Sequence, residues 1–381
     1  MPAFAIGLGL MAGLAALAGC LMSPPAKVSP HVASGGVMSV RVKVLSKVAS
    51  ADLTVNGVAR TVTAAQVRSE RALAATDGKP VAVSGKRYHG TLDLIPAGPD
   101  AFDVINVVTL DDYLQGVVPS EAYAKWPAET LKAQAIAART YAIYQIRTKA
   151  DGDKHYDVYA DVRSQAYGGI DAEAASTNDA VMATRGVVLA SGPKGKERIF
   201  CAYFSSTCGG ATASGRDVFD DPTPALRERT ADGCVEAKRY RWPEFSITKA
   251  ELTRRVRVYG ERNLMSVAQI GSVRSMEVLS RNAVSRPNRF VLTDESGRRF
   301  ELDAEQMRNA ANADGPKEPQ FLSSFFTPVD AGEAIRITDG RGWGHGVGMC
   351  QHCTFGWAKR GANVKSILAE SYPGSVLVKA Y

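Results

Sequence analysis

The first candidate for chemistry in this sequence is an acidic residue that follows a proline and a serine, in Val118-Pro119-Ser120-Glu121. Serine is a common helix N-cap, so the segment predicts Glu121 in the first turn of a helix. A helix N-terminus favours the ionised carboxylate, whereas burial among apolar neighbours such as Val117 and Trp126 favours the protonated acid. If burial dominates, Glu121 can act as a general acid near neutral pH. If it does not, Glu121 only complements the helix dipole.

A run of alternating glycines extends from Gly340 to Met349 and is the second unusual feature. Extended, this run has one bare face, because successive side chains of a strand point to opposite sides. The other face carries Arg341, Trp343, His345, Val347 and Met349. A bare face lets another backbone or a flat ligand approach closely. We therefore predict an extended segment with such a neighbour; a flexible glycine loop is the alternative.

The overall composition indicates a globular protein. The chain has 381 residues, of which 45% are hydrophobic and 22% charged, enough for two or three domains or one large domain with insertions. A net charge of +7 mildly favours an anionic partner such as a cell-wall polymer, a membrane surface or nucleic acid. Because no helix-turn-helix or finger signature accompanies this charge, we do not expect nucleic acid as a partner.

The N-terminal segment is apolar and ends in Leu17-Ala18-Gly19-Cys20. Small residues before a cysteine fit the site at which a bacterial lipoprotein signal is cut and the cysteine is lipidated. No Lys or Arg precedes Lys27, so the positive region of a signal is missing, and an uncleaved anchor is the alternative. Either way we expect an exported protein on the periplasmic or cell-surface side. We favour the lipoprotein, which is held to the membrane through lipidated Cys20.

Strand patterns dominate the N-terminal part of the chain and helical patterns follow. Alternating apolar residues predict strands over 37–48, 55–62, 81–83, 90–95 and 102–110. A short helix ending at Gly116 and a longer one over 128–147 come next, the latter with an alanine stripe that allows close packing. Further strands are predicted between residues 273 and 302. These patterns predict an α+β fold with a β-rich N-terminal part, a helical core, a smaller inserted β unit, and a glycine-rich strand or loop near the C-terminus.

Four sequence blocks resemble those of the SpoIID/LytB family. The blocks occur in family order, span roughly Asp93 to the C-terminus, and together are specific. They are Val118–Glu121 with Leu131–Ala142, Tyr203–Gly210, Gly342–Gln351, and Tyr372–Gly374. On this basis we expect a signal over residues 1–20, a linker over 21–36, a SpoIID-like catalytic part over 37–245, a smaller α/β insertion over 246–334, and the end of the catalytic domain over 335–381.

The resemblance implies a lytic transglycosylase that cleaves peptidoglycan glycan strands, preferably after their stem peptides are removed, with Glu121 as the catalytic residue. Most glycosidases need two carboxylates. A lytic transglycosylase can use the C6 hydroxyl of the sugar as an internal nucleophile, so one carboxyl can act first as acid and then as base. Other motif positions imply glycan-binding roles, with helix packing as the alternative for the first two: Arg139, Tyr141, Ser205, Ser206, His345 and Gln351. We expect Trp343 to fill the core rather than stack on a sugar.

Two other functions stay open. A LytB-like protein binds the wall and enhances an N-acetylmuramoyl-L-alanine amidase without catalysis of its own, and its blocks are the same. A metal-dependent hydrolase built on the cysteines is a third interpretation, although thiolate-rich sites are mostly structural. Retention of Glu121 favours the enzyme, for which no cofactor is expected to be required.

The cysteines allow disulfides or a structural zinc site. Besides Cys20, the chain has five cysteines, an odd number for a scheme of disulfides alone. In an exported protein a disulfide is the ordinary expectation, and we predict Cys208–Cys234 as the first pair. Some family members resemble zinc proteins, and zinc takes four sulfur or nitrogen ligands. The candidate ligands are Cys201, Cys208, Cys234, Cys350, His352 and Cys353.

Overall fold

The computed structural model describes residues 38–69, 72–73, 79–149, 155–316 and 320–381. The expected signal, the linker and Cys20 lie outside these residues. Within the described ranges, no helix combines the length and apolar character that crossing a membrane requires.

The described helices and strands follow the order of the chain. The strands are β1 (Ser39–Val48), β2 (Ser50–Val55), β3 (Val58–Thr63), β4 (Ala72–Leu73), β5 (Val81–Val83), β6 (Lys86–Tyr88), β7 (Thr91–Pro96), β8 (Phe102–Thr109), β9 (Val158–Tyr159), β10 (Val187–Ser191), β11 (Arg198–Ile199), β12 (Phe204–Ser205), β13 (Phe245–Thr248), β14 (Val273–Arg281), β15 (Pro287–Asp294), β16 (Arg299–Asp303), β17 (Phe325–Ala331), β18 (Ala334–Arg341), β19 (Met349–Cys350) and β20 (Val376–Lys379). The helices are α1 (Ala64–Ser69), α2 (Leu110–Glu121), α3 (Ala128–Lys149), α4 (Ala175–Ala183), α5 (Gly215–Phe219), α6 (Lys249–Arg262), α7 (Ala304–Asn312), α8 (Gln351–Lys359) and α9 (Val364–Ser371). This mixture of helices with several small sheets confirms the predicted α+β class.

The described residues group into two compact units. The larger unit contains the residues up to Trp242, the segment Asn282–Arg286, and Arg341–Tyr381. The smaller unit contains Pro243–Arg281 and Pro287–Gly340. All four sequence blocks of the family resemblance therefore belong to the larger unit.

Two sheets form the β-rich N-terminal part of the larger unit. One has the strand order β4-β7-β8-β1-β9 and the other β3-β2-β5-β6. The sequence predicted a single strand over 55–62, which is wrong: β2 and β3 form a hairpin across Asn56-Gly57. Both turn residues have positive φ, 54° and 78°, which is the geometry that an Asn-Gly pair favours in a two-residue hairpin.

The core of the larger unit forms around α3. Its alanines Ala133, Ala135, Ala137 and Ala138 are fully buried. Their small side chains let α2, α4 and β10 lie against this helix. β8 is also almost wholly buried and leads directly into α2. The buried strand and α3 thereby fix the position of α2, at whose end the candidate acid lies.

The smaller unit has two three-stranded sheets and two helices. The sheet orders are β13-β18-β17 and β14-β15-β16, all antiparallel where the register is given. Helix α7 begins with a capping box, in which Asp303 accepts from the backbone N–H of Gln306 and the Gln306 side chain accepts from the N–H of Asp303. This unit contains none of the residues predicted to act in catalysis.

Candidate active site

Glu121 is the last residue of α2, not a first-turn residue as its neighbours predicted. The prediction that this helix ends at Gly116 is also wrong, because α2 continues through Pro119. The Ser120 hydroxyl donates to the Gly116 carbonyl at 2.8 Å instead of capping a following helix. The same carbonyl accepts from the backbone N–H of Gly168 at 3.1 Å. Pro119 removes the N–H that would donate to the Gln115 carbonyl, and the next carbonyl, that of Gly116, receives these two donors in the last turn.

Two donors hold the half-buried carboxyl of Glu121. The backbone N–H of Ala166 donates to Oε1 at 2.7 Å, and the side-chain amide of Gln351 donates to Oε2 at 3.2 Å. Burial raises the pKa of Glu121 above its ordinary value, and the two hydrogen bonds offset part of that rise. The C-terminal end of a helix carries partial negative charge, which also disfavours the carboxylate. The pKa direction is the one a general acid requires.

A second glutamine supports the first. The Nε2 of Gln351 also lies 3.4 Å from Oε1 of Gln134, a residue of α3 that is 1% exposed. The Nε2 of Gln134 is buried and has no hydrogen-bond partner in the described structure. The pair of amides therefore fixes which atom of Gln351 faces the carboxyl.

Buried polar groups also hold the segment that contributes the Ala166 donor. The hydroxyl of Tyr113 donates to Gln165 Oε1 at 3.1 Å, and Gln165 Nε2 donates to the Ala138 carbonyl at 3.4 Å. Burial raises the pKa of Tyr113 well above its usual value, so its hydroxyl stays protonated and keeps donating. The backbone that faces Glu121 is thus tied to both α2 and α3.

The glycine run is not a regular extended strand. Its glycines at 342, 344, 346 and 348 all have positive φ, between 70° and 97°. The predicted close approach of another backbone is nevertheless confirmed: a Cβ at Gly348 would lie 2.2 Å from the Tyr203 carbonyl oxygen. A Cβ at Gly342 would lie 2.5 Å from the carbonyl oxygen of Thr207. The run therefore lies against the backbone of the Tyr203–Gly210 block. Its last residue, Met349, begins β19, which pairs in parallel with β12.

Both ring nitrogens of His345 form hydrogen bonds with backbone groups. Nε2 lies 3.0 Å from the Phe204 carbonyl, which can only accept, so this nitrogen carries the proton. Nδ1 accepts from the Val347 N–H at 3.0 Å. The Ser205 hydroxyl accepts from the Gly346 N–H at 3.2 Å. These two predicted glycan-binding side chains fasten the glycine run to β12, and the contacts favour a positioning role for both.

Arg139 does not reach a glycan groove. Its side chain is 0% exposed, and its guanidinium donates to the carbonyls of Val181 and Thr184, each at 2.9 Å. It also donates to the Tyr381 hydroxyl at 3.2 Å. These buried contacts favour the helix-packing alternative for Arg139, and its predicted glycan-binding role stays a prediction. Tyr141, 8% exposed, lies on the same helix with its ring 6.5 Å from that of Tyr203.

Exposed aromatic rings follow Glu121 in the chain. Tyr123 is 63% exposed and packs edge-on against Trp126, which in turn contacts the rings of His352 and Phe355 at 5.2 Å. Trp343, expected in the core, is instead 46% exposed. An exposed ring such as that of Tyr123, two residues after the half-buried acid, offers a flat apolar face to a ligand. This surface was not predicted from the sequence, although Tyr123 and Trp126 lie within five residues of Glu121.

Four cysteines converge in the larger unit. The Sγ atoms of Cys208, Cys234, Cys350 and Cys353 all lie within 4.8 Å of one another. Cys208 Sγ is 3.6 Å from Cys234 Sγ and 3.7 Å from Cys353 Sγ. A disulfide needs about 2.05 Å, so the predicted Cys208–Cys234 pair is not formed. Zinc–sulfur bonds of about 2.3 Å in a tetrahedron put the sulfur atoms about 3.8 Å apart, which fits the spacing observed.

The backbone around this cysteine cluster also fits bound thiolates. Cys350 Sγ accepts from the backbone N–H groups of Cys208 at 3.2 Å and Cys353 at 3.3 Å. Hydrogen bonds of this kind favour the negative sulfur. The two other candidate ligands lie elsewhere. Cys201 is buried in the main hydrophobic core, and His352 Nδ1 lies 3.0 Å from the Ser206 carbonyl.

Sequence reasoning missed two groups that contact the Glu121 surroundings. Gln134 belongs to the block Leu131–Ala142. The one feature of the sequence that could have indicated it is its polar side chain among the buried alanines of that block. The Ala166 N–H carries no side-chain signal at all, because any residue supplies a backbone donor. The structure brings Glu121 together with Gln351 but assigns Arg139, His345 and Ser205 to supporting contacts.

Comparisons with known proteins agree with these blocks. The sequence model of the Stage II sporulation protein family matches residues 99–190, and that of a domain of unknown function (DUF8618) matches residues 225–348. An uncharacterized protein of Brachyspira hyodysenteriae is 32% identical over 296 residues, 78% of this chain and 73% of that protein. The Stage II sporulation protein D of Bacillus subtilis is 24% identical over 83% of this chain and 87% of its own length. The amidase enhancer of Bacillus subtilis is 26% identical over 78% of this chain, which spans only 45% of that longer protein.

Proposed function

The chain belongs to the SpoIID/LytB family, and from this premise we propose that it is a lytic transglycosylase that cleaves peptidoglycan glycan strands, preferably denuded ones. Glu121 is its single general acid and base. The observation that carries the proposal is the half-buried Glu121 carboxyl with a raised pKa, held by one backbone and one amide donor. The family and its two named relatives support a role at the cell wall.

The reaction needs one carboxyl and no water. Protonated Glu121 gives its proton to the oxygen of the scissile glycosidic bond, and that bond breaks at the anomeric carbon. The C6 hydroxyl of the same sugar then attacks the anomeric carbon, and the Glu121 carboxylate takes up the hydroxyl proton. The products are a 1,6-anhydro end and a new free hydroxyl end, and the acid is regenerated. The donors from Ala166 and Gln351 stabilise the carboxylate formed between the two steps.

The test compares three proteins on denuded and intact glycan strands, with mass analysis of the ends released. The parent protein is expected to release anhydro ends, faster from denuded strands. Glu121→Gln should lose about 10²-fold or more of the rate while remaining folded at the assay temperature. Glu236→Gln, an exposed carboxylate outside the site, is the control and should retain the parent rate. A Glu121→Gln protein that still forms anhydro ends at the parent rate would refute the proposal.

A second candidate function is enhancement of a cell-wall amidase, favoured by the relative named amidase enhancer. In that case the protein binds the wall and increases peptide release by an N-acetylmuramoyl-L-alanine amidase, and no anhydro ends form. Glu121→Gln would then leave the stimulation unchanged, since a carboxyl that does no chemistry is dispensable. The same set of variants, assayed with an added amidase, therefore separates the two functions.

We also propose a structural zinc ion, bound by the thiolates of Cys208, Cys234, Cys350 and Cys353. Zinc bound by four thiolates has no open position for a substrate, so it would stabilise the fold rather than take part in cleavage.

We also propose that the protein lies outside the cytoplasm, anchored through lipidated Cys20. Labelling with a radioactive fatty acid should mark the parent protein and not Cys20→Ala.

A further inference from the structure

A cavity of about 770 Å³ opens on the larger unit, and none of its walls is contributed by Glu121 or the glutamines beside it. Its walls come from Gly210, the segment Thr230–Asp232, Tyr240, and helices α8 and α9 with the turn between them. A cavity of this size is typical of ligand sites. Nothing in the mechanism above uses it.

Asp232 organises one wall of this cavity. Its Oδ1 accepts from the indole N–H of Trp357 at 2.8 Å and from the Arg360 guanidinium at 3.0 Å. The Asp232 side chain is nevertheless 80% exposed, so the carboxylate keeps acceptor capacity for a ligand. The indole N–H, with help from Arg360, holds the pKa of Asp232 below its ordinary value, so this acceptor stays ionised.

Two aromatic rings form rigid parts of the walls. Trp357 and Tyr240 both pack against the cysteine cluster. The guanidinium of Arg229 lies 5.6 Å from the centre of the Trp357 ring, and the Asp232 hydrogen bond fixes the ring's polar edge. Rings held in this way can accept a ligand without losing side-chain entropy on binding.

The remaining side chains indicate the class of ligand. Asp232 and Glu370 are acidic, Arg360 is basic, and Thr230 carries a hydroxyl. Fixed rings next to charged groups suit a ligand with flat faces and many hydroxyls, and Arg360 can pair with the carboxylate that each peptide-free N-acetylmuramic acid carries. We propose that this cavity is a second saccharide subsite, which binds sugar residues of the glycan strand away from the scissile bond. This inference rests on the proposed function, because it takes the same polymer as the ligand.

One helix connects the two sites. Gln351, the first residue of α8, contacts Glu121, and Trp357 lies six positions further along the same helix. Six residues correspond to about 9 Å along the axis and about 240° around it, so the two side chains face different sides of α8. A strand of several sugars held at the second subsite raises the effective concentration of its own bonds at Glu121. Short fragments reach only one site, so their effective concentration at Glu121 does not increase.

Binding is tested first, in full-length protein that carries Glu121→Gln to prevent turnover. A peptide-free tetrasaccharide of alternating N-acetylglucosamine and N-acetylmuramic acid is titrated by calorimetry and by NMR of tryptophan indole N–H signals. We expect the Trp357 signal to shift on titration. Trp357→Leu or Asp232→Ala should weaken this second binding event about tenfold. Glu370→Gln, on the cavity wall, should weaken it less, and Glu236→Gln, exposed outside the cavity, should not change it.

Cleavage then separates this inference from the proposed function. In protein with Glu121 intact, Trp357→Leu should raise KM for long denuded strands about tenfold and leave tetrasaccharide cleavage unchanged. Sugar binding at Trp357 without any cleavage by the parent protein would support the subsite and refute only the transglycosylase. An unshifted Trp357 signal, or binding of a free stem peptide instead of the tetrasaccharide, would overturn the subsite. Unfolding temperatures of all variants exclude loss of fold as the cause.

Discussion

The side-chain amide of Gln351 donates to Oε2 of Glu121 at 3.2 Å, although 230 positions of the sequence separate the two residues. The contact joins the last residue of α2 to the first residue of α8. It therefore couples the Glu121 block to the glycine run that precedes α8. Because the amide is a donor, it lowers the pKa of the carboxyl against the larger opposing effect of burial.

The first prediction concerns stability against pH. The folded-state pKa of Glu121 is raised above its ordinary 4.5, so the folded protein binds this proton more tightly than the unfolded chain. The stabilisation is complete below the ordinary pKa and is lost as pH rises through the folded-state pKa. Glu121→Gln cannot ionise, so its unfolding temperature relative to the parent should increase between about pH 4 and about pH 8. Thermal unfolding in a series of buffers measures the difference.

The control for this experiment is Glu236→Gln, which removes one exposed carboxyl outside the site and so reports the effect of losing a carboxyl that is not buried. A Glu121→Gln protein whose stability difference falls on going to high pH would show that the folded state prefers the carboxylate. The acid role would then lose its physical basis.

The second prediction concerns the paired glutamines. Gln351→Leu removes a donor to the carboxylate, so the pKa of Glu121 should rise further and the alkaline limb of the pH–rate profile should move to higher pH. Gln134→Leu should move it in the same direction by a smaller amount, because Gln134 acts through Gln351. The maximal rate should fall about tenfold for Gln351→Leu. Full pH–rate profiles on denuded strands measure both effects.

Gln145→Leu provides a matched control, since Gln145 is a buried glutamine of the same helix that faces Cys201 instead. It should leave the profile in place. If Gln145→Leu shifted the profile as much as Gln134→Leu, the effect would reflect general damage to α3 and not positioning.

The sequence was sufficient to predict the family and the α+β class, but not the geometry around Glu121. The sequence Pro119-Ser120 is typical of a helix start, and only the donors to the Gly116 carbonyl explain why α2 continues instead. These donors include Gly168, which is far along the chain. Local propensity cannot contain that information, because tertiary contacts override it.

The glycine run and the cysteines show the same limit. Glycine adopts either sign of φ readily, so alternation alone does not distinguish an extended strand from the observed positive-φ run. The close approach of the Tyr203–Gly210 backbone determines that the run adopts positive φ. Likewise, six candidate ligands could be named from the sequence. The fold separates the four converging thiols from Cys201 and His352.

The third prediction concerns Arg139, whose role is packing. Arg139→Met removes the buried charged donor to the carbonyls of Val181 and Thr184, and the free energy of unfolding should fall by about 3 kcal/mol. At temperatures where the variant is folded, its KM for glycan should equal that of the parent. Arg185→Met is the control: Arg185 is exposed and pairs with Asp111 at 2.9 Å, so its loss should cost less than about 1 kcal/mol. Chemical denaturation with parallel binding assays separates a packing role from a ligand role.

The fourth prediction concerns the cysteine cluster. Purified parent protein should contain one zinc per chain by elemental analysis, and four of its cysteines should resist thiol reagents until a chelator is added. Ser substitution at any one of the four should release the metal and lower the unfolding temperature. Cys201→Ser is the matched control, a buried thiol outside the cluster, and should retain the zinc. Parent protein that contains no zinc, with Cys208 disulfide-bonded to Cys234, would contradict the structure and restore the disulfide interpretation.

The last prediction concerns the exposed ring of Tyr123, two residues after the proposed acid. Because its side chain is 63% exposed, Tyr123→Ala should leave the unfolding temperature within error of the parent. Loss of a stacking face should raise KM for denuded strands about fivefold to tenfold, with kcat little changed, since the ring would bind ground state and transition state alike. Tyr123→Phe keeps the face and should behave as the parent, which separates stacking from hydrogen bonding by the hydroxyl. Equal kinetics for all three proteins would remove this ring from the glycan path and direct attention to Trp343, whose exposed indole is the next candidate.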